Sequence, residues 1–171
     1  MSLFDNDIIK QADTVLRMAR KAKLSIATAE SCTGGLIIGC LTEIPGSSDV
    51  VQAGLVTYSN HAKTTLLNVS PALIDHHGAV SKEVALAMTE GALNQTTADL
   101  VIAVTGIAGP GGGSADKPVG LVHFAAQRRG HPPQHKAEIF SDQSRMDVRL
   151  ETVRASLMML TSLIDHTDVS P

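Results

Sequence analysis

The spacing of apolar positions changes several times along the first third of the chain. From 5 to 22, apolar residues recur every three or four positions, which predicts an amphipathic helix. Residues 24–29 form a short β-like run, and a helical period resumes from about 33 to 43, ending before a Pro-Gly pair. The β-rich stretch 50–58 predicts a second strand. Helix, strand, helix and strand therefore follow one another.

The remainder of the chain continues this alternation. Ser59 or Asn60 is the predicted cap of a helix that carries Lys63. The run 99–106 is almost entirely apolar, as is typical of a central strand buried on both faces. The other predicted elements are helices at about 70–78 and 81–95, strands at 119–127 and 135–140, a closing helix at 144–164 and a tail at 168–171.

This order of elements predicts a three-layer α/β/α sandwich with a mixed, mostly parallel sheet of about five strands. Helices separate the first three strands, which should therefore be parallel. Short loops join the later two strands, which should run antiparallel to their neighbours. One domain is expected over 1–171, with structure from about 5 to 166.

Composition narrows the classes of function. The 171 residues include no Trp, one Tyr and three Phe, so stacking platforms for single-stranded nucleic acid are scarce. The net charge of −3 does not favour the positively charged surface that proteins use to bind DNA or RNA. No apolar run approaches the ~20 residues of a membrane span, and the first 23 residues lack the apolar centre of a signal peptide. A nucleic-acid partner and a membrane are therefore not expected.

The two cysteines, Cys32 and Cys40, indicate the compartment. Eight residues of helix would separate them by about 12 Å, beyond the reach of a disulfide. Free thiols suit a reducing compartment, so a cytoplasmic location is predicted. An aliphatic surface is also compatible with a homo-oligomer.

Chemistry-bearing residues concentrate where the first strand meets the second helix. The run 28–35 reads Thr-Ala-Glu-Ser-Cys-Thr-Gly-Gly and places Ser31 at a helix N-terminus. Free N–H groups and the helix dipole favour an anion or a developing oxyanion there. The predicted oxyanion donors are the backbone groups of Thr33, Gly34 and Gly35. A simpler interpretation, in which Ser31 or Thr33 only caps the helix, stays open.

A nucleophilic Ser31 requires a base. His61 is the one histidine expected near a strand end, and Lys63 lies beside it. Lys63 would need its pKa lowered from about 10.4 towards 7–8 to act as a base. Tyr58 could relay a proton between Ser31 and Lys63. The alternatives are that Lys63 is a surface lysine and Tyr58 only closes the strand, and that Cys32 is the nucleophile.

A third polar segment follows the apolar central strand. Residues 105–114 are rich in glycine but match neither of the common phosphate-loop patterns, so they suggest an anion nest or a flexible connection. Arg145 and Arg149 open the last helix and could contact a phosphate or face solvent. Glu30 either orients the site or faces solvent. The predicted substrate-binding residues are Thr105, Gly106, Ala108, Gly109 and Arg145, and no metal site is predicted.

Four sequence blocks together resemble the CinA C-terminal domain family, over about residues 8–165. They are 28–35, Tyr58-Ser59-Asn60-x-Ala-Lys63, 77–81, and 106–110 through 117–120. The stand-alone members that the chain resembles are nicotinamide-nucleotide amidases. The resemblance implies hydrolysis of the carboxamide of nicotinamide mononucleotide (NMN) to nicotinate mononucleotide and ammonia, on a three-layer α/β/α fold without metal or cofactor.

Carried over position by position, the resemblance implies that Ser31 is the nucleophile, Lys63 the general base and Tyr58 an assisting residue. The expected partner is a small pyridine nucleotide. A second hypothesis is that the chain is a non-catalytic nucleotide-binding or regulatory module, which keeps the pocket but does not turn over a substrate. A DNA-associated competence role, suggested by the family's historical name, conflicts with the negative net charge.

Overall fold

The computed structural model describes residues 2–165, which fold in the predicted alternation of helices and strands. The helices are α1 (Asn6–Ala22), α2 (Leu36–Thr42), α3 (Asn60–Leu67), α4 (Pro71–His77), α5 (Lys82–Gln95) and α6 (Arg145–Asp165). The strands are β1 (Ile26–Glu30), β2 (Val51–Val56), β3 (Leu100–Gly106), β4 (Leu121–Arg128) and β5 (Gln134–Ile139). The predicted tail at 168–171 lies outside the described residues, and the single domain over 1–171 stays a prediction.

The five strands form one mixed sheet in the order β2-β1-β3-β4-β5. β1 pairs in parallel with β2 and β3, whereas β4 pairs antiparallel with β3 and β5. The predicted strand directions are therefore confirmed. The chain passes from β2 across β1 to β3, so the strand order reverses beside β1. Ligands of open α/β sheets bind at the carboxyl ends of the strands at such a point.

Two aliphatic clusters cover the two faces of the sheet. Successive side chains of β3 point to opposite faces, so Ile102 and Val104 pack with α1, α2 and α6, while Val101 and Ala103 pack with α4 and α5. All five residues of β1 are buried. These layers confirm the three-layer α/β/α fold. None of the helices within 2–165 is long and apolar enough to cross a membrane.

The position of α3 depends on a cap and on a glycine. The Ser59 hydroxyl accepts a hydrogen bond from the Ala62 N–H at 3.0 Å, so Ser59 is the cap and Lys63 lies in the first turn of α3. At Gly91 of α5, a Cβ would lie 2.0 Å from the Leu67 carbonyl oxygen at the end of α3. Glycine is therefore needed at 91 for α3 to pack this closely against α5.

The start of α2 differs from the prediction. The helix was expected from about 33 but begins at Leu36, because Gly34 and Gly35 adopt left-handed φ angles of 61° and 98°. Gly35 occupies the N-cap position, so the interpretation of Ser31 or Thr33 as the cap is wrong. Residues 31–35 instead form a turn between β1 and α2.

Candidate active site

Ser31 and Lys63 meet at the carboxyl end of β1. Ser31 follows the last residue of the strand, and Lys63 reaches it from the first turn of α3. The Lys63 Nζ donates to Ser31 Oγ at 2.9 Å and to the Thr57 carbonyl oxygen at 3.0 Å. Both side chains are buried, with Lys63 1% and Ser31 8% exposed. The structure thus brings the predicted nucleophile and base into direct contact.

Burial changes the acid–base behaviour of Lys63. Removal of its amine from water lowers the pKa of Lys63 from the ordinary value of 10.5, and the nearby Cys32 acts in the opposite direction. No carboxylate within residues 2–165 forms an ion pair with this amine. A lysine without a counter-charge in a dry setting loses its proton more easily. Neutral Lys63 can accept the Ser31 hydroxyl proton across the same 2.9 Å contact. His61, the other base considered, is exposed at the surface.

Tyr58 does not lie between these two groups. Its side chain is 61% exposed, and its hydroxyl accepts a hydrogen bond from Arg145 Nη2 at 2.9 Å. No hydrogen bond joins the Tyr58 hydroxyl to Ser31 or Lys63 in the described structure. The predicted proton relay is therefore replaced by direct contact of Lys63 with Ser31. Tyr58 instead belongs to the rim of the site with Arg145.

Glu30 lies at the end of β1 and is completely buried. Its carboxylate accepts five hydrogen bonds. The donors are Thr28 Oγ1 (2.9 Å), Thr33 Oγ1 (2.6 Å) and the N–H groups of Gly35 (3.1 Å), Ile37 (3.0 Å) and Ile38 (2.8 Å). The N-terminus of α2, predicted to face a ligand, is thus occupied by the protein's own carboxylate. The sequence left open whether Glu30 orients the site or faces solvent; its complete burial and its five hydrogen bonds exclude the solvent-facing alternative.

The same arrangement corrects the expectation for the oxyanion donors. The Gly35 N–H donates to Glu30, and the Gly34 N–H donates to the Ser31 carbonyl oxygen at 3.1 Å. Neither N–H group is therefore available to an oxyanion. The Thr33 N–H has no oxygen acceptor among residues 2–165. Of the three predicted donors, only Thr33 has a backbone N–H group without an oxygen acceptor among these residues, and the group that it contacts is the Cys32 sulfur.

Cys32, the alternative nucleophile, lies in the wrong environment for that role. Its side chain is 5% exposed, and burial raises its pKa to about 12. The backbone N–H groups of Cys32 and Thr33 oppose this shift, and the charge of Glu30 reinforces it. A thiol with so high a pKa carries almost no thiolate near neutral pH. Cys32 and Cys40 are both unpaired, as the sequence predicts.

The glycine-rich loop, residues 106–114, follows the carboxyl end of β3, which is the strand beside β1 and therefore ends at the same sheet edge as the pair Ser31 and Lys63, the dyad. The Thr105 hydroxyl is buried and donates to the Ala79 carbonyl oxygen at 2.7 Å, so it braces the α4–α5 connection. Ala108 is 5% exposed, whereas residues 110–114 are exposed. Beyond the loop, Lys117 Nζ donates to the His77 carbonyl oxygen at 2.6 Å. Sequence reasoning did not identify this second brace.

Two arginines of α6 complete the site. Arg145 donates from Nη1 to the Gly109 carbonyl oxygen at 2.6 Å and from Nη2 to the Tyr58 hydroxyl at 2.9 Å, so it links the loop to the end of β2. Arg149 donates from Nη2 to the Thr33 carbonyl oxygen at 2.8 Å, while its buried Nε has no partner among residues 2–165. The first two turns of α6 thus bring two positive charges to the edge of the sheet that carries the dyad.

The described residues offer no evident metal site at this position. Within 2–165, no group of three or more His, Cys, Asp or Glu side chains is arranged to hold a metal ion. The chemistry available from the described residues is that of a buried serine beside a lysine with a lowered pKa.

Comparisons with known proteins agree with the resemblance seen in the sequence. A family model described as "CinA C-terminal domain" matches residues 9–164. The "CinA-like protein" of Mycobacterium avium is 46% identical over 169 residues, which are 95% of this chain and 38% of that protein. A crystal structure of a competence/damage inducible protein from Agrobacterium tumefaciens has a TM-score of 0.93 and 50% identity, covering 95% of this chain and 99% of that one. An Escherichia coli protein of the CinA superfamily has a TM-score of 0.87 and 33% identity, covering 95% of this chain and 94% of that one.

The lengths of the matched proteins differ. The chain spans between about a quarter and two fifths of the curated relatives that it matches, since it covers 38% of the Mycobacterium avium protein and 26% of a CinA-like protein of Chlorobaculum tepidum.

Proposed function

We propose, from the premise that this chain belongs to the CinA C-terminal domain family, that it is an amidohydrolase that deamidates nicotinamide mononucleotide through an acyl-enzyme on Ser31. The single observation that carries this proposal is the 2.9 Å contact between Ser31 Oγ and the buried amine of Lys63. An ordinary surface lysine would keep its ammonium group exposed to water. Burial beside a serine instead suits a base that activates a hydroxyl.

Acylation uses the two members of the dyad. Neutral Lys63 removes the proton of the Ser31 hydroxyl, and Oγ forms a bond to the carboxamide carbon of the substrate. The carbonyl oxygen becomes an oxyanion in the tetrahedral intermediate. When that intermediate collapses, the C–N bond breaks and Lys63 returns its proton to the nitrogen, so ammonia leaves. The nicotinoyl group is then held as an ester on Ser31.

Deacylation repeats these steps with water. Neutral Lys63 takes a proton from water, the hydroxide forms a bond to the ester carbon, and the C–Oγ bond breaks. Ser31 recovers its proton from Lys63, and nicotinate mononucleotide leaves as the carboxylate after the second proton of the water passes to solvent, where it can convert the released ammonia to ammonium. Each turnover therefore consumes one water and releases one ammonia, and Lys63 acts as acid and base in turn.

The oxyanion needs a donor close to Ser31. The Thr33 N–H is the candidate, because the N–H groups of Gly34 and Gly35 are engaged within the protein. Arg149 supports this segment through its hydrogen bond to the Thr33 carbonyl oxygen. One such donor is typically worth about 3–4 kcal/mol of transition-state stabilisation.

The remainder of the substrate would lie towards the rim. A mononucleotide carries a phosphate, and Arg145 and Arg149 bring positive charge to the same sheet edge. Three exposed glycines of the loop, at positions 111–113, present backbone N–H groups without side chains over them, as anion-binding loops do. Phosphate at this rim would leave the nicotinamide ring directed towards Ser31.

Ammonia release from NMN tests the proposal. The purified protein, treated with a chelator, is incubated with NMN, and ammonia and nicotinate mononucleotide are measured together. We expect equal amounts of the two products from the wild type. Ser31→Ala and Lys63→Met should each lower turnover by about a thousandfold or more, because each removes a group that acts in both half-reactions.

A matched control separates chemistry from binding. Cys32→Ala changes the residue beside the nucleophile and should keep turnover within about twofold, since the raised pKa leaves the thiol protonated. A wild-type protein that binds NMN without releasing ammonia would contradict the amidase and support the regulatory module. Loss of turnover in Cys32→Ala but not in Ser31→Ala would contradict the assignment of the nucleophile.

A further inference from the structure

Glu30 carries a structural role that the proposed chemistry does not use. Its carboxylate is completely buried and contacts neither Ser31 Oγ nor Lys63 Nζ. All five groups that reach it are donors, which suits the acceptor-only capacity of an ionised carboxylate. Because this carboxylate neither meets solvent nor contacts the two reacting groups, its hydrogen bonds are the means by which it can act on the site.

The donors come from both sides of the nucleophile. Thr28 belongs to β1 and lies two residues before Glu30 on the same face of the strand, so its hydroxyl reaches Oε1 from the rigid sheet. Thr33 and Gly35 belong to the turn that carries Ser31, and both donate to Oε2. The carboxylate therefore ties the turn to the strand from which it departs.

The main chain of Glu30 connects to the other member of the dyad. The Glu30 carbonyl oxygen accepts the Thr57 N–H at 2.8 Å, and the Thr57 carbonyl oxygen accepts from Lys63 Nζ at 3.0 Å. One residue thus holds the turn of Ser31 through its side chain and the acceptor of Lys63 through its backbone.

We infer that the Glu30 carboxylate is a positioning residue, which holds the turn 31–35 so that Ser31 Oγ lies against Lys63. This inference rests on the proposed function in one respect, that Ser31 is the nucleophile. Any substitution that loosens the turn should move Oγ while leaving Arg145 in place, since Arg145 is held by Gly109 and Tyr58 and not by the turn. The effect should therefore fall on kcat and leave KM nearly unchanged.

Two threonines provide a matched test. Thr28→Val and Thr33→Val each remove one hydroxyl that donates to Glu30, both at fully buried positions and with nearly the same side-chain shape. Thr33→Val keeps the backbone N–H but removes the shorter of the two hydrogen bonds between the turn and the carboxylate, so that the Gly35 N–H alone remains, whereas Thr28→Val leaves both of them in place. We expect kcat to fall at least tenfold in Thr33→Val and less than twofold in Thr28→Val, with KM within threefold in both.

Glu30→Gln extends the test to the carboxylate itself. Whichever way the amide is oriented, its nitrogen faces N–H or O–H donors that need an acceptor. We expect kcat to fall about a hundredfold. The midpoint of the pH profile of kcat/KM should also move upwards, because a displaced turn admits water to Lys63 and lets its pKa rise towards 10.5. A residue that served only stability would lower the melting temperature without moving this midpoint.

A probe that does not depend on NMN keeps this inference distinct from the proposed substrate. A fluorophosphonate forms a bond between Ser31 Oγ and phosphorus, fluoride leaves, and Lys63 takes the hydroxyl proton. The labelling rates of wild type, Thr28→Val, Thr33→Val and Glu30→Gln should follow the same order as kcat. If the wild type is labelled but does not deamidate NMN, only the substrate assignment fails. Equal rates in the two threonine variants, or an unlabelled wild type, would overturn the inference.

Discussion

The nucleophile side of the site and its glycine-rich loop differ in how completely their polar groups are bonded. On the nucleophile side, Glu30 and Lys63 are buried and engage five and two hydrogen-bonding partners. In the loop, residues 110–114 are exposed, and Arg145 holds it at Gly109. Lys63 and the turn that carries Ser31 are thus fixed before substrate arrives, whereas the groups expected to bind substrate keep unused hydrogen-bonding capacity.

The pH dependence of turnover tests the buried side and should show the largest effect. Burial lowers the pKa of Lys63 from 10.5, and only its neutral form accepts a proton. Below that lowered pKa, kcat/KM should fall about tenfold for each unit of decreasing pH, and above it the rate should level off. Steady-state rates of ammonia release across the pH range measure this. A profile still rising at pH 10.5 would show that burial does not tune Lys63.

The same shift has a consequence for stability. Because the pKa of Lys63 is lower in the folded protein, the unfolded chain binds more protons between the folded pKa and 10.5. The stability of wild type relative to Lys63→Met should rise with pH through this window and fall as pH decreases towards the folded pKa. Denaturant unfolding of both proteins at a series of pH values provides the check.

A pair of glycine substitutions tests the loop. Gly109 has a φ of +78°, and a Cβ there would lie 2.4 Å from Val119 Cγ1, whereas a Cβ at Gly111 would meet nothing within 4 Å. Gly109→Ala should displace the loop and raise the KM for NMN about tenfold, equivalent to about 1.4 kcal/mol. Gly111→Ala should change KM by less than about twofold. Equal KM values in the two variants would show that substrate does not depend on the shape of this loop.

Tyr58→Phe tests the boundary between the two regions and should have the smallest effect. The variant removes one exposed hydroxyl whose partner is Arg145, a loss of about 0.5–1 kcal/mol. Turnover should fall by about fivefold or less. A proton relay through Tyr58 would instead predict a loss of a hundredfold or more in kcat, which the same assay of ammonia release would reveal.

The fold could be predicted because it follows from local patterns. The apolar run at 99–106 and the 3.6-residue period of α1 specify a buried strand and an amphipathic helix without tertiary information. The strand directions followed from the lengths of the connections. The start of α2 was predicted three residues early, because left-handed angles at Gly34 and Gly35 depend on the carboxylate around which the turn folds.

The site could be predicted only in part. Ser31 and Lys63 were found because the carboxyl ends of neighbouring parallel strands meet at one edge, so their contact follows from topology. The Thr57 carbonyl oxygen that receives the Lys63 amine is a backbone group and has no sequence signature. The sequence position of Tyr58, just before α3, correctly indicated that it lies close to the site. The direction of its side chain could not be predicted, because it depends on a hydrogen bond from Arg145, 87 residues later.

The close packing at Gly91 means that a substitution distant from the active site can abolish its function. Any side chain at 91 would push against the Leu67 carbonyl oxygen and move α3, and with it the base that α3 carries. A genetic screen for inactive alleles should therefore recover changes in the middle of α5, at a residue that never meets the substrate. Such an allele would look like an ordinary packing defect, yet it would act by moving one amine away from one hydroxyl.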